Sequence, residues 1–142
     1  MQLHEIMTRD VETIRPESML PEAARKMKEL NVGSLPVCDN RRLVGIVTDR
    51  DITIRAVADG RNPQETQVQA AMTPELIYCY EDQDVREAAH IMETQQIRRL
   101  PIVDRQHQLV GIIALGDLAV DASRKMSGEV LEQISEPAKP KR

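Results

Sequence analysis

The chain has 142 residues, of which 41% are hydrophobic, with a net charge of −4 and a pI near 5.4. That length suits one compact body burying on the order of 70% of its unfolded surface. The acidic balance, with no Phe, no Trp and two Tyr, argues against a nucleic-acid or anionic-membrane binder. No apolar run approaches the ~18 residues of a membrane span, and Met1-Gln2-Leu3-His4-Glu5 does not read as a secretory leader, so the cytoplasm is the expected compartment.

In chain order, Val11 to Arg15 reads as a short strand ended by Pro16. Over Ser18 to Leu30, Leu20, Ala23, Ala24, Met27 and Leu30 recur at three- and four-residue steps, the period of an amphipathic helix. Ser18 is its candidate N-cap and Gly33 is placed to end it. Leu35 to Cys38 is a second strand with Pro36 at its start or edge, and Asp39 to Arg42 turn the chain into Leu43 to Val47. A second helix starts after Thr48, and Asp59 to Gln64 read as a loop. The order then recurs: strand Leu76 to Tyr80, helix Asp82 to Gln95, strands Leu100 to Val103 and Leu109 to Ile113, and a helix opened by Asp117. Gly128 to Ile134 has the pattern of one more short helix, and the basic end beyond Glu136 and Pro137 is expected to be disordered.

The recurrence extends to residue identity. Met7, Thr8, Glu22, Ala23, Met27, Leu35, Pro36 and Asp39 reappear 65 positions later as Met72, Thr73, Glu87, Ala88, Met92, Leu100, Pro101 and Asp104. After a one-residue insertion, Leu43-Val44-Gly45-Ile46 and Asp51 reappear 66 later as Leu109-Val110-Gly111-Ile112 and Asp117. One structural unit is copied in tandem, so function is expected in related paired grooves.

The opening Met-Thr, the L-P-[VI]-x-D strand and turn, and the L-V-G-I run leading to Asp51 or Asp117 together resemble a tandem pair of cystathionine-β-synthase (CBS) domains, a Bateman module, over about residues 6 to 122. The resemblance implies an α+β fold of two CBS domains, residues 1–63 and 64–125, each strand-helix-strand-strand-helix and packed with pseudo-two-fold symmetry. Residues 126–142 follow as a short helix and tail. It also implies a stand-alone, non-enzymatic regulatory module that binds an adenosine-containing ligand (AMP, ADP, ATP, NAD or S-adenosylmethionine) in the cleft between the repeats. No cofactor is required. The expected assembly is a homodimer, a disc of four repeats, acting on an unknown regulated protein.

The run Gly45-Ile46-Val47-Thr48-Asp49-Arg50-Asp51 carries the chemistry. Gly45 permits close backbone approach. A helix beginning at Thr48 offers free N–H groups to a phosphate, Thr48 adds a hydroxyl, and the two carboxylate oxygens of Asp51 suit the two hydroxyls of a ribose. From spacing alone, Thr48 or Asp49 as a helix cap with Asp51 merely complementing the dipole is the favoured reading. The family's G-x-x-[ST]-x-x-D pattern favours the ligand. By the same resemblance Leu76 and Ile77 flank the base with Ile46 beneath it, and Arg98 and Arg99 face the phosphates, where a guanidinium fork binds two oxygens. The second groove, led by Asp117 with Val11 beside it, is expected to be weaker: Ala114 replaces the hydroxyl, Gly33 and Ser34 replace the arginines, and Glu12 would repel phosphate if it pointed inward.

Two other classes compete. A ligand-free interaction scaffold would keep these motifs as helix caps alone. An enzyme would need a catalytic motif, and there is no P-loop, H-E-x-x-H or G-x-S-x-G. Cys38 and Cys79 occupy unrelated positions, and the scattered His4, His90 and His107 do not have metal-ligand spacing, so no metal site is expected.

Overall fold

The amphipathic stretch folds as α1, Leu20–Leu30, with Leu20, Ala23 and Met27 buried. Ser18 does not cap it. Met19 is the N-cap and makes no side-chain bond; Leu20 N–H instead donates to the Thr66 carbonyl at 3.0 Å, and Val68 N–H to the Ser18 carbonyl at 2.7 Å. A passing segment therefore takes part of the bonding that a cap would otherwise supply. The helix ends at Asn31, in the left-handed conformation at φ 54°, two residues before Gly33. This is a computed structural model that describes residues 1–118, so the helix expected over 128–134 and the tail lie outside the described residues.

Strands β1, Ser34–Asp39, and β2, Arg42–Thr48, pair antiparallel around a left-handed Asn40, with an irregularity between Val37 and Cys38. Along β2 burial alternates. Leu43, Gly45 and Val47 are buried, whereas Val44, Ile46 and Thr48 lie on the half-exposed face, as the two-residue period of a strand requires. The chain then enters α2, Asp49–Ile52, which continues as a π-helical turn over Thr53–Val57, and later the short α3, Val68–Ala71. The second copy supplies β3, Cys79–Tyr80; α4, Val85–Gln95; β4, Arg99–Val103; β5, Leu109–Ala114; and α5, Leu115–Asp117. Its sheet order is β3-β4-β5, with β3 parallel to β4. The architecture is α+β, duplicated as the sequence repeats.

Both leading strands are shorter than their sequence pattern. From Val11 to Arg15 only Ile14 makes a bridge, parallel to Val37, while the Thr13 carbonyl accepts from the Lys26 ammonium at 2.7 Å.

The described residues form two compact units, and these do not follow the repeat boundary. One, here the Asp117 unit, combines Met1–Val11 with Ile77–Gln106 and residues 110–118; the other, the Asp51 unit, is Glu12–Leu76 with His107–Leu109. The opening segment of the first copy thus packs with the second. Leu3 N–H donates to the Gln83 carbonyl, Thr8 and Ile112 exchange both backbone bonds at 2.9 Å, and Leu3 and Met7 join a core with Ala88, Met92, Leu100 and Ile102. In the Asp51 unit, Thr73 N–H donates to the Ile46 carbonyl at 2.9 Å, and the core holds Ile14, Leu20, Leu35, Val37 and Val47. Gly45 and Gly111 serve this exchange. A Cβ on Gly45 would sit 2.7 Å from the Met72 Sδ, and one on Gly111 would sit 2.6 Å from the Met7 Sδ. What approaches Gly45 closely is the Met-Thr segment of the other copy.

Candidate ligand-binding site

Thr48 and Asp51 form a reciprocal capping box. Asp51 N–H donates to the Thr48 Oγ1 at 3.0 Å, and Thr48 N–H donates to the Asp51 Oδ2 at 2.9 Å. Thr48 uses only a lone pair here, which leaves its hydroxyl proton available to an acceptor such as phosphate. The capping and ligand readings of these two residues are therefore compatible. Asp51 is 7% exposed, an unusual burial for a carboxylate. Its charge is met by the Thr73 hydroxyl, 3.1 and 3.0 Å from its two oxygens, and by the Arg55 Nε at 3.8 Å. Arg55 also donates to the Met72 carbonyl at 3.4 Å.

Neither Thr73 nor Arg55 stands out as a site residue in the sequence. Thr73 carries one visible sign, its recurrence with Thr8 in the opening Met-Thr pair. Arg55 carries another: it lies one helical turn after Asp51, the spacing of an ion pair.

Of the residues expected at the site, the Asp51 unit contains Ile46, Thr48, Asp51 and Leu76. Ile46 and Thr48 share the half-exposed face of β2, and Leu76 is half-buried. The Asp117 unit contains Val11, Ile77, Arg98, Arg99 and Asp117; Ile77 packs against that unit's core, and both arginines are exposed. Within its unit Arg98 is tied by its backbone to the turn that leads to Asp117, because its carbonyl accepts the Leu115 N–H at 2.9 Å. Gly33 has the matching place beside Asp51, accepting the Asp49 N–H at 2.9 Å. Glu12 is exposed and pairs with Lys26 at 3.6 Å.

The Asp117 turn keeps half of the box. Ala114 N–H donates to the Asp117 Oδ2 at 2.9 Å, but Ala114 has no hydroxyl to accept in return or to offer a phosphate. Among the described residues no group of three or more His, Cys, Asp or Glu is arranged to hold a metal ion, and no helix is long and apolar enough to cross a membrane.

The CBS-domain family model matches residues 3–57 and 67–123. The CBS domain-containing protein YhcV of Bacillus subtilis is 46% identical over 130 residues, 91% of each chain. Among solved structures, Hypoxic Response Protein I with two coordinated zinc ions aligns with a TM-score of 0.78 at 32% identity, covering 87% of this chain and 100% of that one. CBSX2 in complex with AMP aligns at 0.71 and 26% identity, over 83% and 93%. The CBS domain pair of MJ0100, in complex with 5′-methylthioadenosine and S-adenosyl-L-methionine, aligns at 0.71 and 28% identity, over 91% and 98%.

Proposed function

The chain belongs to the CBS-domain family and carries two copies of the domain, and from that premise we propose that it is a non-enzymatic sensor of an adenosine-containing ligand. The observation that carries the proposal is the buried Asp51 carboxylate held one turn beyond a threonine hydroxyl that is free to donate. That pairing offers acceptors to a ribose diol and a donor to a phosphate. Relatives of the same architecture in complex with AMP and with S-adenosylmethionine support the ligand class. In this proposal Ile46, Leu76 and Ile77 receive the base and Arg98 and Arg99 the phosphates, while the turn at Asp117, beside Val11, is the weaker site. The chain acts in the cytoplasm as a homodimer, to which the exposed Ile54 and Val57 offer apolar surface.

Ligand binding changes what a regulated protein meets only to the extent that two shapes of the chain differ in affinity for the ligand. Thermal unfolding in the presence of AMP, ADP, ATP, NAD or S-adenosylmethionine tests the proposal. A ligand at one hundred times its Kd adds about 2.7 kcal/mol of stability. At least one of the five raises the midpoint, and Asp51→Ala abolishes that rise. A midpoint unmoved by all five would favour the ligand-free scaffold.

A further inference from the structure

The Thr73 hydroxyl lies against the carboxylate of Asp51. It is 3.1 Å from the Asp51 Oδ1 and 3.0 Å from Oδ2, straddling the edge of the carboxylate that a vicinal diol needs. Oδ2 already accepts the Thr48 N–H, Arg55 stands beside Oδ1, and only 7% of the residue is open to solvent. A carboxylate has about four acceptor positions. With the capping N–H in one of them and the single Thr73 hydroxyl proton lying across both oxygens, a diol meets a competitor for that edge.

We infer that Thr73 is an internal surrogate for the ligand's ribose, and that it sets affinity by competing for Asp51. This rests on the adenosine-ligand proposal and adds to it a residue that engages Asp51 when no ligand is bound. Exchange requires only rotation about one side-chain bond, since the Thr73 N–H is fixed independently on the Ile46 carbonyl at 2.9 Å. Arg55 keeps the segment in place through the Met72 carbonyl. Binding would thus be reported directly to the segment that begins the second repeat, because the hydroxyl that anchors it to Asp51 is released. The two copies differ in this respect: Thr8, the counterpart of Thr73, is exposed.

Calorimetric titration with AMP and with S-adenosylmethionine, on the wild type, Thr73→Val and Thr73→Ser, separates this inference from the proposal beneath it. Valine keeps the shape and removes the competing hydroxyl. It tightens binding about fivefold, the size of one hydrogen bond net of water, whereas serine stays near wild type. Equal or weaker binding by Thr73→Val, with binding by the wild type, would overturn the inference and leave the ligand proposal standing. No binding of either probe to any variant would overturn both. Urea unfolding tests the bond without ligand: Thr73→Val lowers the midpoint when Asp51 is present and leaves it unmoved in an Asp51→Ala background. Equal effects in the two backgrounds would contradict the contact itself.

Discussion

At the scale of single residues, the sequence pattern identified the acceptor but not what accompanies it. Asp51 is legible because a short recurring pattern places it one turn after Thr48. Its engagement with Thr73 is not legible, since 22 residues separate the two and no periodicity spans that interval. Gly45 shows the same limit from the other side. Its need for space was visible, but the group that fills the space, the Met72 side chain, was not. The cysteines give a prediction with a definite sign. Burial pushes the Cys38 and Cys79 thiols up from 9.0 to about 11, with the nearby Glu87 charge adding to the effect at Cys79. Above pH 9 the unfolded chain releases these protons while the folded chain retains them, so each thiol's stabilisation is intact below pH 9 and is lost as pH rises toward 11. The loss is about 2 kcal/mol per thiol by pH 11. Urea unfolding between pH 8 and 11 should show it, and Cys38→Ala with Cys79→Ala should flatten the alkaline slope; an unchanged slope would contradict the burial of the thiols.

At the scale of elements, helices and hairpins were readable because hydrophobic period and turn residues act locally. Their ends were less readable. Ser18 has the chemistry of a cap, but the bonds at that end of α1 run to residues 66–68, which local chemistry does not reveal. In the first leading strand, too, a distant group intervenes: Lys26 bonds the Thr13 carbonyl. The difference between the turns at Thr48 and Ala114 was visible as a substitution, and the structure gives it a physical consequence. Thr48 accepts the Asp51 N–H, while Ala114 cannot accept from the matching position. Ala114→Thr therefore completes the second capping box and stabilises the fold by about 1 kcal/mol, measured as a raised urea midpoint at unchanged slope. A lowered midpoint would mean that the added side chain has no room there.

At the scale of the whole molecule, duplication was legible and the exchange of opening segments was not. Periodicity reveals that a segment has a buried face without revealing which copy receives it. Leu3 makes the point: it opens the first copy in sequence and is fully buried in the core of the Asp117 unit beside Met92 and Leu100. Leu3→Ala should cost about 2–5 kcal/mol, with faster hydrogen exchange in α4 and β4 than in α1 and β1. Loss of protection confined to α1 and β1 would contradict the exchange. The central functional claim is recognition of an adenosine ligand through Asp51, and equilibrium binding measures it most directly. Calorimetric titration of the wild type and Asp51→Ala with the adenosine compound that most raises the unfolding midpoint should show saturable binding to the first and a loss of about a hundredfold or more in the second. Equal affinity in the two proteins would contradict the account.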